Sequence, residues 1–555
     1  MDKRFFLALF LSLIVIAISQ VLFPTPKQPV RSPAAIDSTA RATPVASSTT
    51  PGLAVARTRA ARPAPAADSS AGQIKAVAET TTVTVPKAIY TFSNFGAAPV
   101  SIVIRDYQNR SSTGGLVDLA LPDLPLLGFQ LATAGDTLDL RRVPFALTRA
   151  SDSERETITY SATVGNYPIA ITYAIPRDTA ASYTMQVSGR VTNTSNQAYV
   201  LVDLPSSLRS VERDTVADQQ SLAYSFKPQK DHAGSVLFGD LDPGERRLQP
   251  GPLNWIAVKS KYFVLGLLPP LGATFSEVTL TGGPRTSKVA TNASASAVMP
   301  IVNATFAFDV YAGPQESQRL FRMGREFDHV NPYGWGFVQG VVHPIASEVI
   351  RGLLWMHNRL KLSYGWVLII LGVLIRLALW PLNQSTMRSS LKMQEIQPKL
   401  QAAQKKYKDP LQQREAIMKV YKEAGVSPFA GLTGCLPALL PMPILFALFF
   451  VFQNTIEFRG VPFMWLHDIS VKDPFYILPL FMGASMFVLS WIGMRNAPPN
   501  PQAKMMMYMF PVMMTVVLLN MASGLNLYYT AQNIAALPQQ WLLARERAKA
   551  RAIAS

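Results

Sequence analysis

The chain has 555 residues, of which 49% are hydrophobic, with 42 prolines and one cysteine. That cysteine, Cys435, lies inside an apolar stretch, which excludes an internal disulfide, a cysteine-based metal site and a redox role. A net charge of +17 would mark a nucleic-acid binder if the basic residues were spread over a soluble surface; many instead flank apolar segments long enough to span a bilayer, so no specific nucleic acid is expected as a partner.

Residues 1–23 hold an apolar run preceded by Lys3 and Arg4 and followed by Pro24 and Pro26. A cleaved signal peptide would have a shorter apolar run ending in a small-x-small site. Val21, Leu22 and Phe23 stand at the exit instead, which favours an uncleaved transmembrane anchor with its N-terminus inside. Residues 24–80 are rich in Pro, Ala, Ser and Thr and poor in large apolar side chains, the composition of a disordered tether. From 81 to 325, short β-branched and aromatic runs alternate with turn residues, as at 82–85, 100–104, 169–175 and 199–202. This pattern predicts an all-β sandwich domain, which the anchor would place on the outer side. Asp240, Asp242 and Glu245 do not have the spacing of an EF-hand loop and read as an ordinary Asx turn.

Residues 333–362 place Trp335, Phe337, Val341, Ile345, Val349, Leu353 and Met356 close to one helical face, which predicts an amphipathic helix in the outer interface. Five candidate spans follow, at 363–383, 428–453, 475–493, 505–522 and 523–543. Between them lie a cytoplasmic helical hairpin at 384–427, a periplasmic loop at 454–474 and a cytoplasmic loop at 494–504; a basic tail occupies 544–555. With the anchor this gives an α-helical polytopic membrane protein of six spans, a five-helix C-terminal core and both termini inside. The charges agree with that topology: 384–427 carries nine basic residues against four acids, the tail four against one, and 456–474 only two against three.

Arg376 is the residue that asks most of its surroundings. An arginine inside a span costs about 2.5–3.5 kcal/mol on insertion scales and normally faces a cavity or a partner. Snorkelling to the headgroups is the plain alternative, but helical side chains lean toward the helix N-terminus, here the outer side, which aims the charge deeper. Pro437, Pro441 and Pro443 each remove a backbone donor within one span, freeing the carbonyls of Thr433, Pro437 and Leu439. Such backbone either lines water or is a kink used for packing. Asn526, Tyr529 and Asn533, with Thr530 beside them, form a polar stripe that suits an aqueous groove or interhelical bonding. Twelve of the 20 methionines follow Pro428, which suits either an adaptable apolar surface or lipid-facing filler. Lys405, Lys406 and Lys408 mark a hairpin that is either simply solvated or able to meet lipid headgroups, a ribosome or a nascent chain. There is no phosphate-binding glycine loop, no His-Glu-x-x-His and no histidine in the spans of Ser485 or Ser523, so neither an enzyme, a cofactor nor a metal is expected.

The motifs RLALWP (376–381), IQPK (396–399), GCLP (434–437), MPI (442–444), WLHD (465–468), YILP (476–479) and SGLNLYY (523–529), in that order, resemble the YidC family of bacterial membrane protein insertases, in its Gram-negative layout. The resemblance implies insertion and folding of inner-membrane proteins, alone or with the Sec translocon and its accessory subunits. It implies a hydrophilic groove containing Arg376, Asn526, Tyr528, Tyr529, Thr530 and Asn533, and an apolar slide for the client helix at Met442, Pro443, Met509 and Met513. Gly372 and Pro441 depart from the family pattern, where relatives often place a hydroxyl and a glutamine. The groove's hydrogen-bond partners are then redistributed, with Asn526 and the freed carbonyls as candidates. A small-solute channel or secondary transporter is the rival reading, which internally repeated spans would favour; no repeat is visible. A receptor using the β domain as sensor would need an output domain, which the tail lacks.

Overall fold

The computed structural model describes residues 78–133, 136–178, 183–194, 198–285, 288–331, 333, 336–381, 410–423, 442–495 and 501–554, with single positions between 384 and 406. The anchor, the tether up to 77, Lys405, Lys408, Cys435, Pro437 and Pro441 lie outside the described residues.

Among the described residues, eighteen strands lie between 80 and 314, and each of the four runs singled out in the sequence overlaps one of them. The strands β1 (Thr80–Thr84), β2 (Ala88–Ser93), β3 (Ala98–Gln108) and β4 (Leu116–Asp118) make a four-stranded sheet. The second sheet contains β5 (Gly128–Ala132), β6 (Thr137–Asp139), β7 (Ala146–Ser151), β8 (Arg155–Val164), β9 (Tyr167–Pro176), β10 (Thr184–Val191), β11 (Tyr199–Leu204), β12 (Ala223–Pro228) and β13 (Gly234–Leu237). It is completed by β14 (Arg246–Lys259), β15 (Phe263–Leu268), β16 (Phe275–Gly282), β17 (Ala293–Pro300) and β18 (Thr305–Pro314). Its order is β6-β5-β11-β17-β16-β14-β15-β18-β10-β9-β8-β7, with β12 and β13 joined at β14 and every pairing antiparallel.

Alternation builds the sandwich. In β9 and β10 every second residue is buried, so one face of each strand supplies the core. β15 (FVLGLL) is buried at all six positions, as a strand covered on both faces must be. The long β14 pairs with β16 through its first half and with β15 through its second, and the register shifts between Pro250 and Leu253. A strand that bends this way carries the sheet from one layer to the other. Gly251 sits at the bend, where a Cβ would overlap the carbonyls of Phe275 and Ser276. At the acidic turn the backbone closes the loop: Glu245 N donates to Asp242 O at 2.9 Å with Gly244 at φ +77°, while the Asp242 side chain faces Arg285 at 3.6 Å. This is a β-turn closed by main-chain groups, whereas the sequence reading gave that role to an Asx side chain.

The helices are α1 (Thr215–Gln220), α2 (Ser317–Arg322), α3 (Gly336–Leu360), α4 (Tyr364–Ala378), α5 (Pro410–Glu423), α6 (Met442–Asn454), α7 (Ile477–Met494), α8 (Pro501–Leu518) and α9 (Ser523–Ala554). α3 buries Val342, Ala346, Ile350 and Leu353, whereas Val341 is 58% exposed. Of the face expected from the sequence, Leu353 and Met356 are buried and Ile345 and Val349 pack partly buried against the same core, where α3 meets α6. α8 starts at Pro501, inside the expected cytoplasmic loop, since proline suits a first helical turn. α9 continues past 543 to Ala554 because the tail is built of Ala, Arg, Lys and Glu, all strong helix formers. Among the described residues α7, with 18 residues and a mean hydropathy of 1.8, is the helix long and apolar enough to cross a bilayer by itself. The apolar helices at Tyr364–Ala378, Pro443–Asn454 and Met507–Leu518 are shorter. Helix length thus supports one crossing directly rather than the six read from the sequence.

Candidate functional site

Helix α4 ends at Ala378 with Leu379 as its cap, and helical backbone resumes at Trp380 and Pro381. Arg376 falls in its last turn, where the unpaired carbonyls of a helix end favour a cation. Its Nη2 donates to Gln539 Oε1 on α9 at 2.9 Å, and Gln539 Nε2 donates to the Trp380 carbonyl at 3.2 Å. Gln539 is 2% exposed, whereas Arg376 is half-buried. Arg376 Nε is buried without a partner, and no carboxylate pairs with the guanidinium, among the described residues. The cation is thus held by a neutral amide.

The polar stripe of α9 bonds to its neighbouring helices. Asn526 is fully buried and donates through Nδ2 to Leu518 O at 3.1 Å, closing the end of α8. Thr530 Oγ1 donates back to Asn526 O at 2.8 Å, and Asn533 Nδ2 donates to Ser485 Oγ on α7 at 3.1 Å. Tyr528 is 1% exposed and its ring lies 5.3 Å from that of Tyr529, which is half-buried, and 6.3 Å from Phe452. The structure therefore ties Asn526 and Asn533 to α8 and α7, and Gln539 to the arginine. Asn526, considered above as a substitute partner for Arg376, spends its Nδ2 on Leu518, while its Oδ1, the atom that could accept from a guanidinium, is buried without a partner among the described residues. Gly372 lets α4 lie close to α9: a Cβ there would stand 3.0 Å from Tyr528 O and 3.4 Å from Ala531 Cβ.

Met442 opens α6, followed by the half-buried Pro443; on α8 Met509 is 49% exposed and Met513 is half-buried. Near Met509 in sequence, Tyr508, Phe510 and Val512 are exposed as well. Lys406 lies in a helical position and is exposed.

The segment between α6 and α7 docks on the β-sandwich. Arg459, 3% exposed, donates through Nε to Glu212 Oε1 at 2.7 Å and through Nη2 to Gln108 O at 2.9 Å. Burial pushes the Glu212 carboxyl up, and Arg459 pulls it partly back. Ser317 N donates to Glu457 Oε1 at 3.2 Å, and Arg110 pairs with Asp468 at 3.2 Å. Ile456 joins the β-sandwich core. Asp473 then receives Phe475 N and Leu478 N at 3.0 and 2.8 Å, which fixes the start of α7.

The membrane protein insertase YidC of Chlorobium phaeovibrioides is 31% identical over 499 residues, which cover 82% of this chain and 81% of that protein. The membrane protein insertase YidC of Chlorobaculum tepidum is 30% identical over 95% of this chain and 92% of its own length. This chain belongs to the YidC family. The family description "60Kd inner membrane protein" matches residues 355–550 and "YidC periplasmic domain" matches 81–344, so the helices and the β-sandwich correspond to the two parts of the family. Among solved structures the chain is similar to an active YidC insertase with its first transmembrane domain resolved. Identity there is 20% and the TM-score 0.33, over 83% of this chain and 92% of that one.

Sequence reasoning did not find Gln539 or the Arg459–Glu212 pair. Gln539 lies eleven residues after Tyr528 and seven after Gln532, on the helical face that meets α4. A scan of α9 for a second polar face would have found it. The Arg459–Glu212 pair spans 247 positions and leaves no local pattern.

Proposed function

We propose that this protein inserts membrane proteins into the inner membrane and assists their folding, through a hydrated groove in which Arg376 receives the acidic flank of a client helix. Six spans, the N- and C-termini in the cytoplasm and the β-sandwich in the periplasm complete this reading. One observation carries it: a half-buried guanidinium at the end of an apolar helix, bonded to the neutral Gln539 and to no acid among the described residues. A charge in that setting needs water or a counter-charge, and an acidic client segment supplies the latter. Asn526, Tyr528, Tyr529, Thr530 and Asn533 belong to the groove wall. The client's apolar helix leaves along Met442, Pro443, Met509 and Met513 into lipid.

No nucleotide is required. A helix of about 20 apolar residues gains free energy on burial, and the membrane potential adds about 2.3 kcal/mol per charge per 100 mV. Lys405, Lys406 and Lys408 face the nascent chain, the ribosome or lipid headgroups, and the Sec translocon with its accessory subunits is the partner for longer clients. Depletion in cells tests the reading. Single-span proteins with acidic tails should stop inserting while small solutes cross at normal rates; loss of one solute flux with normal insertion would replace it with a transporter.

A further inference from the structure

The chain has five histidines. His329 lies in the short turn Phe327–Val330 that leaves the β-sandwich, and His343 in the first half of α3. Their ring centroids are 3.9 Å apart, and one ligand atom from each of Asp328, His329 and His343 lies within 4.8 Å of the others. His343 is 8% exposed, and its Nε2 is buried without a hydrogen-bond partner among the described residues. A buried imidazole nitrogen with no partner is unfavourable unless something binds it. Two histidines and an aspartate thus meet at one place, where the β-sandwich passes into the helices.

We propose that Asp328, His329 and His343 bind a divalent transition-metal ion of the zinc class, which pins the turn leaving the β-sandwich to helix α3. Two imidazole nitrogens and a carboxylate oxygen are a zinc donor set, with the fourth position open to water. Donor atoms around tetrahedral zinc stand about 3.3 Å apart, so the site closes by small side-chain rotations. Asp328 and His329 have the freedom for these, being 25% and 23% exposed. His329 presently faces Glu326 at 3.4 Å and Asp328 at 3.9 Å, so acceptors already surround the position a cation would take. All three ligands fall within the region matched by the periplasmic-domain family, on a side of the membrane open to free ions. The ion would do for this junction what a disulfide does elsewhere, in a chain whose one cysteine is far from it in sequence.

The test uses the full chain, purified in detergent and stripped with chelator. Cobalt titration should give ligand-field absorption saturating at one equivalent, and zinc should displace it. His343→Gln, His329→Gln and Asp328→Asn should each weaken binding tenfold or more, with His357→Gln and His467→Gln unchanged. Hydrogen exchange over 327–345 should slow with zinc in the wild type and not in His329→Gln, whose turn position leaves the fold intact even if His343→Gln misfolds. Absence of saturable binding, or binding that survives all three ligand substitutions, overturns the proposal.

Discussion

Arg459→Ala should loosen the seat of the β-sandwich on the helical core. The guanidinium is 3% exposed and the partner carboxylate 10%. Its removal leaves Glu212 buried without a counter-charge and takes a donor from the carbonyls of Gln108 and Val211. Breaking a buried ion pair from one side costs about 3–5 kcal/mol. At about 1.4 kcal/mol per factor of ten, local opening becomes more frequent by roughly two to nearly four powers of ten. Hydrogen exchange with mass spectrometry, on the full protein in detergent, reads this directly in peptides covering 456–470 and 209–213. The paired change Arg459→Met with Glu212→Leu removes both charges and should return exchange to within about tenfold of wild type, since apolar replacement of a buried pair is often neutral. Wild-type exchange in Arg459→Ala would refute the reasoning, for it would mean that the seat is held by Ile456 and apolar packing alone.

Burial pushes Glu457 up to about 7, with the Glu316 carboxylate adding to it. A carboxyl whose folded value lies above its ordinary 4.5 contributes stability that is complete below that value and is lost as pH rises through about 7. Glu457→Gln should therefore match wild type in thermal midpoint at acid pH and exceed it near pH 8; parallel pH profiles would contradict this. In the sandwich, Phe306 lies across Gly189, so Gly189→Val should destabilise the β domain by about 1–3 kcal/mol, read as its denaturant midpoint. At the groove, Gln539→Glu gives Arg376 a resident counter-charge. It should reduce insertion of acidic-flank clients more than Gln539→Leu does, and the reverse order would count against a client role for the charge.

The sequence made the sandwich legible where one face of a strand is buried, as in β9, and made α4 and α7 legible as apolar runs. It did not reveal β7, whose six residues are all exposed and carry no alternation. The partner order of β14 was equally hidden, since it depends on contacts between distant strands and a bend at Gly251. Arg376 stood out because a charge in an apolar run is unfavourable in any fold. Its partner did not, because Gln539 is 163 residues away and off the polar stripe that drew attention. The stripe itself was real as a pattern, yet Asn526 and Asn533 bond to α8 and α7, a geometry that periodicity on one helix cannot specify. The Asp328, His329 and His343 cluster stayed invisible for the same reason, with fourteen residues and a change of element between the two histidines.

The central claim is that Arg376 acts as an available positive charge. The direct measurement is protease protection of the translocated tail in reconstituted vesicles, at matched protein levels, for clients with acidic, neutral and basic flanks. Arg376→Lys should retain most insertion of acidic clients, Arg376→Ala and Arg376→Glu should lose it while largely sparing neutral ones, and a basic flank should recover insertion by Arg376→Glu. Equal loss for acidic and neutral clients, with no recovery on charge reversal, would contradict the account and leave Arg376 a structural part of the contact between α4 and α9.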